Sequence, residues 1–383
     1  MARKARRLHF ALTTLGCFGG GSLYGWSGLL PAVRATFDVS NATASMVFSL
    51  ALISFTSGVL LGPMLFALVP SRFRLSAIAG CAAISLGLTG SSQGFNGFVL
   101  SYGILFGFVS GVLYNHAISQ AAASEDANLL VPVNVAAFGL GGAVFGPIHV
   151  WLAASGWSIW ATLPALVCLG AVCILAMFVS PNTDARATAR LQSARMIKPN
   201  RTLVALWIVF AAGSCSGLIV LGFAAQILPQ TAGGTGVASL AIFLAALGNT
   251  LGRLTSAATT SMFGAASGIA GALALSMMAL ASLIFATAPF VVVMLLFFVA
   301  FAYGQLAATT PLLVRLKVRD AEFPASFGLV FTGWGVAGLV GPWTAGWLLD
   351  VSGTLQFALI GCIALSFLSL CMVLPFTRRT RAK

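Results

Sequence analysis

The sequence predicts an all-α membrane protein: twelve transmembrane helices in two six-helix halves with pseudo-two-fold symmetry. Three observations carry this. Charge is scarce, twelve apolar stretches reach membrane-crossing length, and the basic residues fall on one side of the alternating loops. Of 383 residues, 59% are hydrophobic and 7% charged. A soluble domain carries roughly one quarter charged residues. A chain this poor in polar groups cannot clothe a water-facing globule, and lipid is the solvent that suits its surface.

The apolar stretches lie near 8–30, 42–69, 75–93, 96–122, 128–154, 157–179, 202–228, 236–257, 262–286, 289–314, 324–349 and 354–376. Each can cross a ~30 Å hydrocarbon layer at ~1.5 Å per residue. Threading them alternately puts nineteen of the twenty Lys and Arg residues on one side and only Arg34 on the other. Loop Lys and Arg favour the cytoplasm. The expectation is therefore a multi-pass protein of the inner (plasma) membrane with both termini cytoplasmic. The Arg3-Lys4-Arg6-Arg7 start precedes an apolar run longer than a signal-peptide core, with no convincing small-residue cleavage site. It reads as a retained first helix.

The polar stretch from Ser180 to Asn200, bracketed by Pro181 and Pro199, divides the chain. The expected organisation is an N-terminal half at 1–180, a cytoplasmic linker at 181–200 and a C-terminal half at 201–383. The remaining loops are short, which suits a bacterial protein and leaves no room for a soluble catalytic domain.

Several functions are excluded. The net charge of +13 is accounted for by cytoplasmic loops, so no nucleic-acid partner is required. No G-x-x-x-x-G-K-[ST] loop exists to bind ATP, and no metal-spaced His/Cys cluster or catalytic constellation emerges. An enzyme, a cofactor and a metal are therefore not expected. The seven cysteines all fall in predicted spans without a C-x-x-C pair, and read as buried free thiols.

The two halves echo one another. Span five carries Gly142, Gly146-Pro147, Trp151-Leu152 and Ser155-Gly156; span eleven carries Gly338, Gly341-Pro342, Trp347-Leu348 and Ser352-Gly353. Corresponding helices in two halves are what a duplicated transporter predicts. The 42 glycines permit close helix packing, and Gly-Pro pairs permit bends.

This pattern resembles the major facilitator superfamily over the whole chain. The superfamily's loop signature after span two is degenerate here, reading Gly62-Pro63 and then Arg72-Phe73-Arg74 without the usual Asp. Within the superfamily the chain resembles the oxalate/formate antiporter and monocarboxylate-carrier branch. The resemblance rests on Tyr24-Gly25-Trp26-Ser27-Gly28-Leu29-Leu30-Pro31, Gly248-Asn249-Thr250-Leu251-Gly252-Arg253 and Gly328 to Gly338, which includes Phe331-Thr332-Gly333-Trp334. It implies that Arg253 holds a substrate carboxylate and that Tyr24, Tyr114 and Tyr303 line the pocket. Trp334 stands where oxalate carriers have a Lys, which implies a monoanion rather than a dianion.

The residues alone give Arg253 two readings. A charge deep in a membrane helix costs several kcal/mol and needs a reason. No Asp or Glu falls within a predicted span to pair with it, and a guanidinium fork fits a carboxylate. Alternatively, Arg253 lies a few residues above the helix end at 257 and snorkels to the cytoplasm. Trp334 is an aromatic wall or a packing residue. Tyr24 and Trp26 are pocket residues or members of an outer aromatic belt. His116, on one helix face with Gln120, lines the pathway or packs; His149 reads as interfacial. With no intramembrane carboxylate to titrate, exchange or facilitated flow is favoured over carboxylate-driven proton symport.

The expected function is secondary transport of small organic anions, monocarboxylates, by alternating access in a monomer. The expected partners are a small-molecule carboxylate and the lipid bilayer. The competing expectations are a drug or metabolite exporter of the same superfamily and a transport-inactive membrane receptor.

Overall fold

The structure, a computed structural model, describes residues 2–65, 68–124, 126–179, 199–228, 234–319 and 322–378. The expected linker at 181–200 lies almost wholly outside these residues, as do Glu125, Asp184 and Asp320. Among the described residues every regular element is helical. This is the arrangement lipid imposes, because a helix satisfies its backbone groups internally.

The helices are α1 Ala2–Gly20, α2 Trp26–Phe37, α3 Asn41–Leu65, α4 Ser71–Gly90 and α5 Phe95–Ala122, then α6 Ala127–Leu152 and α7 Leu163–Val179. After residue 199 come α8 Arg201–Phe223, α9 Gly234–Phe263, α10 Ala265–Phe285, α11 Pro289–Arg315, α12 Phe323–Ser352 and α13 Gln356–Arg378. By length and hydropathy, ten helical stretches suffice to cross a membrane. One of them, Leu129–Val179, is 51 residues long and holds two crossings. Its chain reverses where Gly156 takes φ 88°, a left-handed conformation that glycine adopts without a Cβ penalty, and Ser158 takes φ 51°. The basic first leg, α1 and α2, completes the twelve. It is not one straight helix: a 3-10 segment, Gly21–Gly25, interrupts it.

Two compact units emerge. The first contains residues 1–38 and 50–193, the second residues 39–49 and 194–383. In the first unit α1 packs on α5, α6 and α7, and α4 packs on α7. In the second α11 is central, packing on α8, α9 and α10, while α12 packs on α8. The outward faces are apolar: Phe178 and Phe285 are each 83% exposed, as expected of side chains that meet lipid.

The second unit also holds the first turns of α3. Asp350, expected in a loop, sits in the last turns of α12 and caps α3. Its Oδ1 accepts from Asn41 N at 3.0 Å and Asn41 Nδ2 at 2.7 Å, and its Oδ2 accepts from Ala42 N at 2.7 Å. A carboxylate here satisfies the unpaired N–H groups of a helix start and opposes its dipole. Ahead of α12, Glu322 accepts a hydrogen bond from Arg319. That bond, aided by the guanidinium charge, holds the Glu322 carboxyl below the usual range.

His149, expected at the outer end of its span, lies in the last turn of α6 and is buried, with Nδ1 3.3 Å from Gly25 O. Gly25 and Gly146 let the backbones close over it, since a Cβ on Gly25 would lie 3.0 Å from Gly146 Cα and from His149 Nδ1. Trp26, read from sequence as a pocket residue or a belt residue, is fully buried against Tyr102, with ring centroids 5.5 Å apart. All seven cysteines are free, yet Cys81 and Cys371 are exposed rather than buried, on helices whose apolar faces look outward.

Candidate functional site

The second unit gathers three of the expected site residues: Arg253 from α9, Tyr303 from α11 and Trp334 from α12. The α9–α11 seam explains how. A Cβ on Gly252 would lie 2.1 Å from Phe301 O, and one on Gly304 would lie 2.2 Å from Asn249 O. Only glycine allows two backbones this close, and the small-residue seam is a normal means of joining helices in lipid. The contact sets the backbone of Asn249 and Arg253 against Gly304, and Gly252 against Phe301 and Gln305.

Arg253 Cζ lies 5.9 Å from the Tyr303 ring centroid, within cation–π range. Its Nε donates to Asn249 Oδ1 at 3.2 Å. Tyr303 is held in turn, because Trp334 Nε1 donates to its hydroxyl at 2.6 Å. Trp334 stacks on Phe331, with centroids 5.4 Å apart and an interplanar angle of 11°. The guanidinium therefore rests on an aromatic platform whose orientation is set by a buried hydrogen bond. Gln305, two residues along α11 from Tyr303 and so turned by about 200° around the helix, donates from Nε2 to Thr255 Oγ1 at 2.7 Å and Thr259 Oγ1 at 3.2 Å.

The helix that bears Arg253 is longer than the expected span. The helix continues past 257 to Phe263, leaving ten residues beyond Arg253. That is about 15 Å at 1.5 Å per residue, more than an arginine side chain spans. The end of α9 is itself apolar and exposed at Met262 and Phe263.

In the first unit Tyr24 and Tyr114 each pack edge-on against Phe138, at centroid distances of 5.2 and 5.3 Å. Phe55 closes the group, 5.6 Å from Tyr114. His116 does not join it. Two residues along α5 from Tyr114, it is turned by about 200° around the helix. Its electrostatic neighbours are His9 and Arg74, and its Nε2 is buried without a hydrogen bond within the protein. A cavity of about 520 Å³ opens at the α6–α7 turn, lined by Ser155, Gly156, Trp157, Trp160 and Leu163, and none of the expected site residues lines it.

Sequence reading passed over Gln305, Thr255 and Thr259, and gave Asn249 only a packing role. The signal available was glycine placement: Gly304 directly precedes Gln305, and Gly248 and Gly252 bracket Asn249.

Three solved structures share this architecture at low identity. A point variant of the nucleoside transporter NupG superposes with a TM-score of 0.73 at 15% identity, over 97% of this chain and 99% of that one. The bacterial homologue of the human lysosomal transporter Spinster gives 0.73 at 13% identity, over 98% and 97%. The chain has the major facilitator fold. The human organic anion transporter MFSD10 shares it with a TM-score of 0.65 at 15% identity, over 96% and 99%. No family model matches the sequence, and no curated protein sequence matches it.

Proposed function

We propose that this chain is a secondary transporter of small organic anions, monocarboxylates, working by alternating access in the cytoplasmic membrane with both termini in the cytoplasm. Arg253 holds the carboxylate, and Tyr303 and Trp334 set the position of the guanidinium. The observation that carries this reading is a guanidinium far from either end of α9, seated on Tyr303. The described acidic residues, Asp38, Asp126, Glu322 and Asp350, all stand at helix ends or just outside them. A carboxylate meeting that fork makes two parallel charge-assisted hydrogen bonds in a low-dielectric site. The single indole proton of Trp334 is committed to Tyr303, so that residue offers no second cation and no free donor to a dianion. Fold neighbours named for nucleosides and for organic anions are compatible with this cargo class but do not choose within it.

The test is thermal stabilisation of the purified protein by monocarboxylates, dicarboxylates, amino acids and neutral solutes, repeated in Arg253→Ala. A ligand at 100 times its Kd stabilises the folded state by about 2.7 kcal/mol. Stabilisation by monocarboxylates that disappears in the variant is the expected outcome. Stabilisation only by neutral or cationic apolar compounds, unchanged in the variant, refutes it. That result would favour the exporter reading, which draws on the aromatic group of Tyr24, Phe55, Tyr114 and Phe138.

A further inference from the structure

Aromatic rings recur along one face of α12. Phe323 stacks on Phe327, with centroids 5.9 Å apart and an interplanar angle of 14°. Phe327 meets Phe331 at 5.7 Å, and Phe331 stacks on Trp334. Spacings of four, four and three residues keep all four rings on one side of the helix. From Phe323 to Trp334 the row runs about 16 Å at 1.5 Å per residue. Its Trp334 end is joined to the candidate site, because Trp334 Nε1 donates to the Tyr303 hydroxyl and Arg253 lies over the Tyr303 ring.

The row is turned away from lipid. The exposed side chains of α12 form a different stripe, which includes Val336, Val340, Trp343 and Trp347. Phe327 precedes Val336 by nine residues, which at about 100° per residue puts it half a turn away, on the opposite side of the helix. A third face, carrying Gly333 and Gly341, packs on Trp207 and Ile219 of α8. Phe323, Phe327 and Phe331 are nonetheless only half-buried. Rings that neither meet lipid nor are sealed by protein form a surface that a solute can reach. The surface is apolar: the indole N–H of Trp334, the polar atom of the row, is committed to Tyr303.

We infer that this row receives the body of the carried acid, and that the cargo is an aryl monocarboxylate, a flat ring a short way from its carboxylate. The inference rests on Arg253 holding the carboxylate. A short aliphatic acid meets the guanidinium but leaves the row bare, so the gain from removing apolar area from water is lost. Aromatic rings packed on one another gain beyond the area they bury, and a saturated ring of the same carbon count forgoes that part.

The test is equilibrium binding of propanoate, 3-phenylpropanoate, 3-cyclohexylpropanoate and the neutral 3-phenylpropanamide to the full-length protein. The phenyl acid should bind at least about tenfold tighter than propanoate and at least about threefold tighter than the cyclohexyl acid. Phe327→Ala should lower the first of these ratios at least about threefold. Propanoate or the cyclohexyl acid binding as tightly as the phenyl acid overturns the inference, and these comparisons use the unaltered protein, so they do not depend on any variant folding. An undiminished ratio in Phe327→Ala overturns it too. The amide binding as tightly as its acid overturns the carboxylate reading and this inference with it, a result distinct from unselective binding of the acids.

Discussion

Replacing Gly304 with Ala tests whether the α9–α11 seam builds the Arg253 site. The added Cβ would lie 2.2 Å from Asn249 O and 3.0 Å from Arg253 N, against an ordinary contact of 3.4 Å or more. The shortfall at Asn249 O is about 1.2 Å, and both atoms are backbone, so no rotamer change relieves it. The helices must part, at a cost of about 1–3 kcal/mol. Gly271, on the exposed face of α10, provides the control, because its Cβ would meet nothing within 4 Å. There Ala should stabilise the helix by about 0.5–1 kcal/mol. The same substitution on two helices of one unit should thus shift stability in opposite directions. Thermal midpoints of the purified variants give the sign. Carboxylate affinity gives the second readout: it should fall at least about tenfold in Gly304→Ala, as Arg253 moves off Tyr303, and hold in Gly271→Ala. Equal midpoint shifts in the two variants, or undiminished affinity in Gly304→Ala, would refute the reasoning.

Asp350→Ala should lower the thermal midpoint by the loss of a helix cap, about 0.5–2 kcal/mol, and speed amide exchange at Asn41 and Ala42; unchanged exchange there would remove the cap from the account. Tyr303→Phe takes away the acceptor of the buried Trp334 N–H and should cost about 1–3 kcal/mol. The double variant with Trp334→Phe should then be less destabilised than the two single effects added together, and simple additivity in the thermal midpoints would show that the 2.6 Å hydrogen bond matters little. Membrane orientation is accessible to a charged maleimide in a cysteine-free background. A cysteine at Ser92 should react in intact cells and one at Pro199 only after permeabilisation, and the reverse pattern would invert the assigned topology.

The fold was legible because lipid imposes its constraints residue by residue. Apolar runs of crossing length and one-sided Lys and Arg residues located the legs from sequence, and the bounds of α11, Pro289–Arg315, differ from the expected 289–314 by one residue. The misses share a physical cause. The expected span stops short of the end of α9 because Thr255, Thr259, Thr260 and Ser261 lower local hydropathy, although the hydroxyls of Thr255, Thr259 and Ser261 bond to carbonyls of the preceding turn and do not end the helix. Span position set His149 near the interface and residue type left Trp26 with two readings, whereas their burial is decided by what packs against them, here Gly25 for the one and Tyr102 for the other.

The candidate site was half legible for a related reason. Arg253 announces itself because a charge in the membrane is expensive and rare. Gln305 carries no such signal, since a neutral amide in a helix is satisfied in many settings. Its significance comes only from a chain of commitments: Thr255 and Thr259 have spent their protons on carbonyls one turn back, so the amide has a single allowed orientation. That logic needs distances, and no spacing rule supplies them. On the proposed reading the guanidinium on its tyrosine platform sets the charge of the cargo, so Arg253→Ala should abolish carboxylate binding, and undiminished binding in that variant would remove the reading's central support.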